Sequence, residues 1–261
     1  MKKSILFTGA ASGFGKLAAL ELARRGHHVI ACAQIWPQVS QLREEARQLG
    51  LEIRVEKLDV RSEIDRKHAW SWEVDILINN AGICEGGPIS EQPMRLIRDN
   101  FETNVFGNLE LTQGFVRKMV EKRSGKVIFT SSMGGLTTFP LGGTYCATKH
   151  AIEAIAEAMK IELAPFGIKV ATLNPGAFNT GFNDRGVEAM RSWYDPRVNF
   201  TPEETFRTTY DMLANQFDPQ IMADAIVQVA EGNTHKFRNV VPKATEDWLK
   251  QTQKDAWEAL S

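Results

Sequence analysis

Apolar and polar positions follow two alternating rhythms along this chain. Short, almost wholly apolar runs occur at residues 4–8, 29–33, 76–79, 127–130 and 170–173, and residues 53–58 are a further strand candidate. Runs that short, without a polar face, predict strands covered on both sides of a sheet. Between them the apolar residues recur at helical spacing. Residues 13–25 put Leu17, Leu20 and Ala23 on one face, and residues 37–49 open with a proline in the first turn. Further helices are predicted at about 93–122 and 144–165, with a clipped one at about 62–72. A late strand at 238–241 and a C-terminal helix complete the series. Strands separated by helices require right-handed crossovers. The expected fold class is therefore α/β, a doubly wound and mainly parallel sheet with helices on both faces.

No repeat, low-complexity run or linker interrupts the chain, so residues 1–261 are expected to form a single domain. Residues 177–217 break the rhythm. They are rich in Phe, Tyr, Trp, Asn and Arg, and read as a long irregular insertion of the kind that forms a substrate lid.

Charge and composition exclude more than they suggest. Thirty-one basic residues against 32 acidic ones give a net charge of -1, which offers no electrostatic reason to expect nucleic acid. The two lysines near the N-terminus precede an apolar run too short for a signal peptide, and no stretch is long enough to span a bilayer. Cys32, Cys84 and Cys146 are scattered and odd in number, which suits a reducing, cytoplasmic setting without disulfides. The five histidines form no ligand cluster, and no metal is expected.

Candidate chemistry concentrates at three places. Thr8-Gly9-Ala10-Ala11-Ser12-Gly13-Phe14-Gly15 lies where the first strand meets the first helix. Gly9 would make the tight bend, Gly13 would let backbone approach a pyrophosphate, and Gly15 would let the helix pack closely. Phosphates would then meet free N–H groups at the positive end of a helix. Tyr145 and Lys149 are one helical turn apart, so an ammonium could favour the phenolate of its neighbour. Ser131 and Ser132 end a strand at the carboxyl edge of the sheet, where open α/β sheets bind ligands. Taken singly, each feature is also ordinary turn or surface chemistry.

As an ordered set these residues resemble the short-chain dehydrogenase/reductase family, in its compact Rossmann-fold branch. The likeness runs from Thr8 through Asp59-Val60, Asn79-Asn80-Ala81-Gly82, Asn104, Ser132, Tyr145 and Lys149 to Pro175-Gly176 and Thr180. The thirteen-residue interval to Tyr145 selects Ser132 over Ser131. The resemblance implies an NAD(P)-dependent oxidoreductase acting on an alcohol or ketone. Tyr145 would be the general acid/base, Lys149 would lower its pKa and hold the ribose, Ser132 would orient the substrate oxygen, and Asn104 would help to hold a water. It further implies cofactor contacts at Thr8, Gly9, Ala11, Ser12, Gly13, Phe14, Gly15, Ala33, Gln34, Asp59, Val60, Asn80, Ala81, Gly82, Tyr145, Lys149, Pro175, Gly176, Phe178 and Thr180. It also implies a homodimer or homotetramer, paired through residues 93–122 and the Tyr145 helix.

Two departures matter. Neither an acid nor a base stands at Ala33-Gln34 or at Ser12. Without a cation to hold a 2′-phosphate, the reading leans to NAD over NADP. The stretch from Asp59 to Asn79 is also shorter than the family usually has. The aromatics Phe178, Phe182, Trp193, Tyr194, Phe200, Phe206 and Tyr210 suggest a cyclic, aromatic or lipophilic substrate. Phe14 and the Tyr145-to-Lys149 segment are similar to steroid- and retinoid-acting members. The rival readings are a non-catalytic cofactor sensor on the same fold, or an epimerase or dehydratase.

Overall fold

The computed structural model describes the backbone of residues 2–212 and 214–259, with side chains throughout except at 208–212. Seven parallel strands form one sheet, in the order β3-β2-β1-β4-β5-β6-β7. They are β1 (Ser4–Phe7), β2 (His28–Ala33), β3 (Arg54–Lys57), β4 (Ile76–Asn79), β5 (Gly125–Thr130), β6 (Ile168–Pro175) and β7 (Arg238–Val241). Strand order reverses between β1 and β4, which pair with Phe7 opposite Ile78. The chain therefore leaves their carboxyl ends in opposite directions and opens a crevice there.

The period of two along each strand divides the core. Ile5, Phe7, Val29, Ala31, Ile76 and Ile78 face one side, where they pack with α1 (Gly13–Arg24), α2 (Trp36–Gln48) and α9 (Pro219–Glu231). Leu6, Ile30, Leu77, Val127 and Phe129 face the other, against α3 (Glu63–Ala69), α5 (Asn108–Lys122) and α6 (Gly143–Leu163). Strands buried on both faces read as unbroken apolar runs, as Ile5–Phe7, Val29–Ala33 and Ile76–Ile78 do, whereas the edge strands β3 and β7 carry charged and polar residues.

Three expectations need correction. The long helical stretch at 93–122 is α4 (Met94–Phe101) and α5, joined by a π-helical turn, Glu102–Gly107, that carries Asn104. Residues 177–217 are not irregular. They hold α7 (Phe182–Arg191) and α8 (Glu203–Met212), and backbone bonds from Phe217 to Ala177 (2.8 Å) and from Asn179 to Phe217 (2.9 Å) tie their ends together. Phe182 and Phe206 lie on these amphipathic helices, while Trp193, Tyr194 and Phe200 lie in the loop between them and obscure the period. Finally, α9 went unread, although Asp218 caps it by accepting from the Gln220 N–H at 2.8 Å and Pro219 opens it. Its far end is capped by the buried Lys126, whose ammonium donates to the carbonyls of Val229, Ala230 and Gly232 at 2.7–2.9 Å. After β7 the chain ends in α10 (Lys243–Ala256).

Candidate active site

The glycine turn is held from beneath by short polar side chains. The Thr8 hydroxyl accepts from the backbone N–H groups of Asn80 (2.9 Å) and Ala81 (3.0 Å). The Asn80 amide donates to the carbonyls of Thr8 (3.2 Å) and Gly9 (3.1 Å), while its oxygen accepts from Thr130 (3.2 Å). One side chain thus ties together the ends of β1, β4 and β5. Space explains the glycines. A methyl group on Gly15 would lie 2.6 Å from the Asn80 amide nitrogen, and one on Gly9 2.9 Å from Ala81 Cα. Gly9 and Gly13 also take φ of +65° and +57°, which favours glycine. Ser12, at the N-cap of α1, makes no side-chain capping bond, so it does not engage the first N–H donors of that helix.

The other cofactor-side residues sort by exposure. Ala11, Phe14, Gln34 and Asp59 reach the crevice rim, where the Gln34 amide donates to Asp59 at 3.2 Å. Ala33, Val60 and Phe178 are buried, so their side chains belong to the core and only backbone could meet a ligand. Phe178 stacks edge-on with Phe14 at 6.0 Å and packs on Phe217 at 5.8 Å, supporting the turn from behind. Thr180 closes over Gly13, 3.0 Å from where a side chain there would begin. Gly176 approaches Thr245 of α10 as closely, with 2.8 Å left for an added carbon.

Ser132 follows β5, and Tyr145 and Lys149 lie one turn apart on α6. The Ser132 oxygen accepts from the Gly134 N–H at 3.0 Å, and Ser132 is the hydrogen-bonding neighbour of the Tyr145 phenol. Lys149 Nζ donates to the Thr130 carbonyl at 2.8 Å and stands 5.5 Å from the centre of the Tyr145 ring. Burial pushes the Lys149 pKa down to about 8. Burial raises that of Tyr145, while the bond to Ser132 opposes the rise. Lys149 was expected to lower the phenol's pKa, but here burial dominates and keeps it a neutral phenol.

Asn104 meets the same site by a different route. Its side-chain oxygen accepts from the Ile83 N–H and its amide donates to the Ile83 carbonyl, both at 2.8 Å, with a third bond to Thr148 at 3.0 Å. That amide is fully engaged in pinning the loop after Gly82. A side chain on Gly82 would start 3.2 Å from Asn104 Oδ1 and 3.7 Å from Lys149 Nζ, so these three residues converge.

Over the mouth lie α7 and α8. Phe182 packs on Tyr145 at 5.9 Å, and Gly186 lets α7 approach Cys84, whose thiol burial pushes up to about 12. Trp193 sits on Gly87 so closely that a side chain there would begin 2.3 Å from its ring. Tyr194 stacks on Phe206 at 4.4 Å. Phe200 is 76% exposed, and the Tyr210 side chain lies outside the described residues. Glu91 fastens the loop between the helices. It accepts from Asn199 (3.0 Å), from the backbone N–H groups of Phe200 (2.7 Å) and Thr201 (3.0 Å), and from the Thr201 hydroxyl. Glu91, Thr148, Glu153 and Asn174 escaped the sequence reading. Only Asn174, next to Pro175, and Glu153, one turn past Lys149, carried a positional hint.

A glycine turn at the switch point, facing a Ser–Tyr pair and a buried lysine, defines a nicotinamide-dependent oxidoreductase. The short chain dehydrogenase family profile matches residues 3–191. The uncharacterized oxidoreductase YusZ of Bacillus subtilis is 35% identical over 248 residues, covering 88% of this chain and 85% of the relative. A short-chain dehydrogenase from Streptomyces avermitilis superposes with a TM-score of 0.84 at 29% identity, over 99% of this chain and 94% of its own. A variant of actinorhodin polyketide ketoreductase, solved with NADPH, does so with a TM-score of 0.78 at 26% identity, over 94% and 97%. The chain belongs to the short-chain dehydrogenase family and is an NAD(P)-dependent dehydrogenase/reductase. Nothing in these likenesses supports the lean to NAD. No helix among the described residues is long and apolar enough to cross a membrane.

Proposed function

We propose that the protein interconverts a ketone and an alcohol, with Tyr145 as the proton donor and acceptor. The observation that carries this reading is the buried Tyr145 phenol beside Ser132, packed on Phe182 with the Lys149 ammonium one turn below and 5.5 Å from its ring. In the direction of reduction, the Ser132 and Tyr145 hydroxyls would both donate to the carbonyl oxygen. Charge growing on that oxygen draws the phenolic proton across. Lys149 then steadies the phenolate until it is reprotonated. A neutral, buried phenol suits the acid role. The nicotinamide would supply the hydride. Its pyrophosphate would lie over Gly9 to Gly15 and the α1 N-terminus, its adenine end near Gln34 and Asp59, and its nicotinamide end by Pro175, Gly176 and Thr180. The Asn104 amide is occupied, so any part it takes with water falls to its backbone.

We read residues 1–261 as one domain and residues 177–217 as its lid. Phe182, Trp193 and Met190 would favour a cyclic, aromatic or lipophilic substrate, and the ketoreductase likeness is in keeping with that. A homodimer or homotetramer would pair α5 and α6, whose groove presents Val116, Ile155 and Met159. The decisive variant is Tyr145→Phe, which removes one oxygen and leaves the ring packed on Phe182. Ketone reduction should stop while NADH and NADPH still quench the tryptophans as in the parent.

A further inference from the structure

Behind Ser132 lies a polar chain that the proton transfer does not use. Glu153, one turn beyond Lys149 on α6, is 5% exposed, and Asn174 near the end of β6 is fully buried. One Glu153 oxygen accepts from the Asn174 amide at 2.6 Å, the other from Arg238 Nε of β7 at 2.8 Å. A second guanidinium nitrogen of Arg238 donates to Glu157 at 2.9 Å. The Asn174 amide also donates to the Ser132 carbonyl at 3.2 Å, and its oxygen accepts from the Thr172 hydroxyl at 3.0 Å. A carboxylate can only accept, so Glu153 dictates which way the amide faces.

Packing alone does not explain this arrangement. A buried charge pair is costly to desolvate, and apolar residues of the same volume commonly replace one without loss of stability. Here the pair sits at the start of a hydrogen-bonded path that ends on the peptide of Ser132. That residue is in extended conformation with its hydroxyl tied only locally, to Gly134 and Tyr145. Its direction therefore depends on what holds its backbone.

We propose that Glu153, acting through Asn174, is a positioning residue for Ser132: it fixes the amide that holds the Ser132 carbonyl, and so the aim of the serine hydroxyl at the substrate oxygen. Arg238 is the counter-charge that meets the carboxylate in the interior. The proposal rests on the reading of Ser132 as a substrate-orienting group.

Glu153→Gln is the direct test. Glutamine must present one N–H to a partner that is itself a donor, so either Asn174 turns over or the link to Arg238 opens. Turnover should fall by about tenfold or more, with cofactor affinity unchanged. In a Ser132→Ala background the same substitution should change the residual rate by less than about twofold, because residues acting as one unit are not additive. An equal loss in both backgrounds would overturn the proposal. Should Glu153→Gln fail to fold, Asn174→Ala cuts the path while leaving the Glu153–Arg238 pair intact, and it should show the same pattern. Hydrogen exchange gives a readout independent of turnover: the amides of 131–135 should exchange faster in either variant while those of β1 do not. Unchanged exchange at 131–135 also overturns the proposal. A parent protein that binds cofactor yet reduces no ketone would instead count against the catalytic reading, with exchange still deciding the role of Glu153.

Discussion

The glycine turn and the 177–217 segment face each other across one crevice and are built by opposite means. The turn is held by buried and half-buried side chains that cannot move without breaking several bonds: Thr8, Asn80 and Thr130 link three strand ends, and glycines leave room for them. The segment is two surface helices laid over the site. Aromatic stacking holds it, together with one carboxylate, Glu91, that gathers bonds from Asn199 to Thr201. The first construction suits a ligand that does not vary, as the proposed nicotinamide dinucleotide would be. The second allows the residues above Tyr145 to vary without disturbing the sheet. Binding loops on a rigid scaffold show the same division.

The comparison predicts its own largest failure. Gly15→Ala puts a carbon 2.6 Å from the Asn80 amide nitrogen and 2.9 Å from the Gly9 carbonyl, so the turn must distort. Nicotinamide dinucleotide affinity should fall by about a hundredfold, equivalent to roughly 3 kcal/mol, as read by tryptophan quenching. The same titration of the parent with NADH and NADPH gives the preference. Affinity within a few-fold of the parent would show that the turn is less rigid than its packing implies.

Glu91→Gln probes the other side with a smaller effect. Glutamine keeps one acceptor oxygen but sets an N–H against the donors of Asn199, Phe200 and Thr201. KM for the ketone should rise by about three- to tenfold, on the order of 1 kcal/mol, with kcat and cofactor affinity near the parent values. A fall in kcat with KM unchanged would mean that Glu91 serves the chemistry and not the cover.

The smallest effect is one of pH. Burial holds the Lys149 pKa at about 8, below the ordinary lysine value of 10.5. The ammonium that steadies the phenolate is present below pH 8 and is lost as pH rises through it. The alkaline limb of kcat/KM for reduction should therefore fall near pH 8, and belongs to the Tyr145–Lys149 pair as a unit. Stability runs the other way. Between about pH 8 and 10.5 the unfolded chain keeps this proton and the native state does not, so this group's contribution to stability rises with pH. An alkaline limb near pH 10 would place Lys149 in a wetter site than its burial implies.

Legibility in the sequence followed the same divide. The strands of the sheet could be read because burial on both faces leaves an unbroken apolar run, as at Ile76–Asn79. The glycine turn, Ser132, Tyr145 and Lys149 could be read because backbone geometry and proton chemistry allow few residue types at those places. Where many residues can do the job, the sequence was silent. Helices α7 and α8 are short and separated by an aromatic-bearing loop that breaks the period, and α9 was passed over despite Asp218 and Pro219. Phe178 looked like a pocket residue and is core. Glu91 acts through partners that are distant in sequence, so no local spacing marks it, and for Glu153 and Asn174 a place beside Lys149 and Pro175 was the whole of the signal.

The central claim is that the Tyr145 hydroxyl delivers the proton at a carbonyl held by Ser132. Single-turnover reduction of a cyclic or aromatic ketone by Tyr145→Phe, preloaded with whichever reduced cofactor the parent binds, measures it most directly. The account predicts a rate lower than the parent by about a thousandfold or more, with cofactor affinity unchanged. A rate within a few-fold of the parent would place the proton donor elsewhere and contradict it.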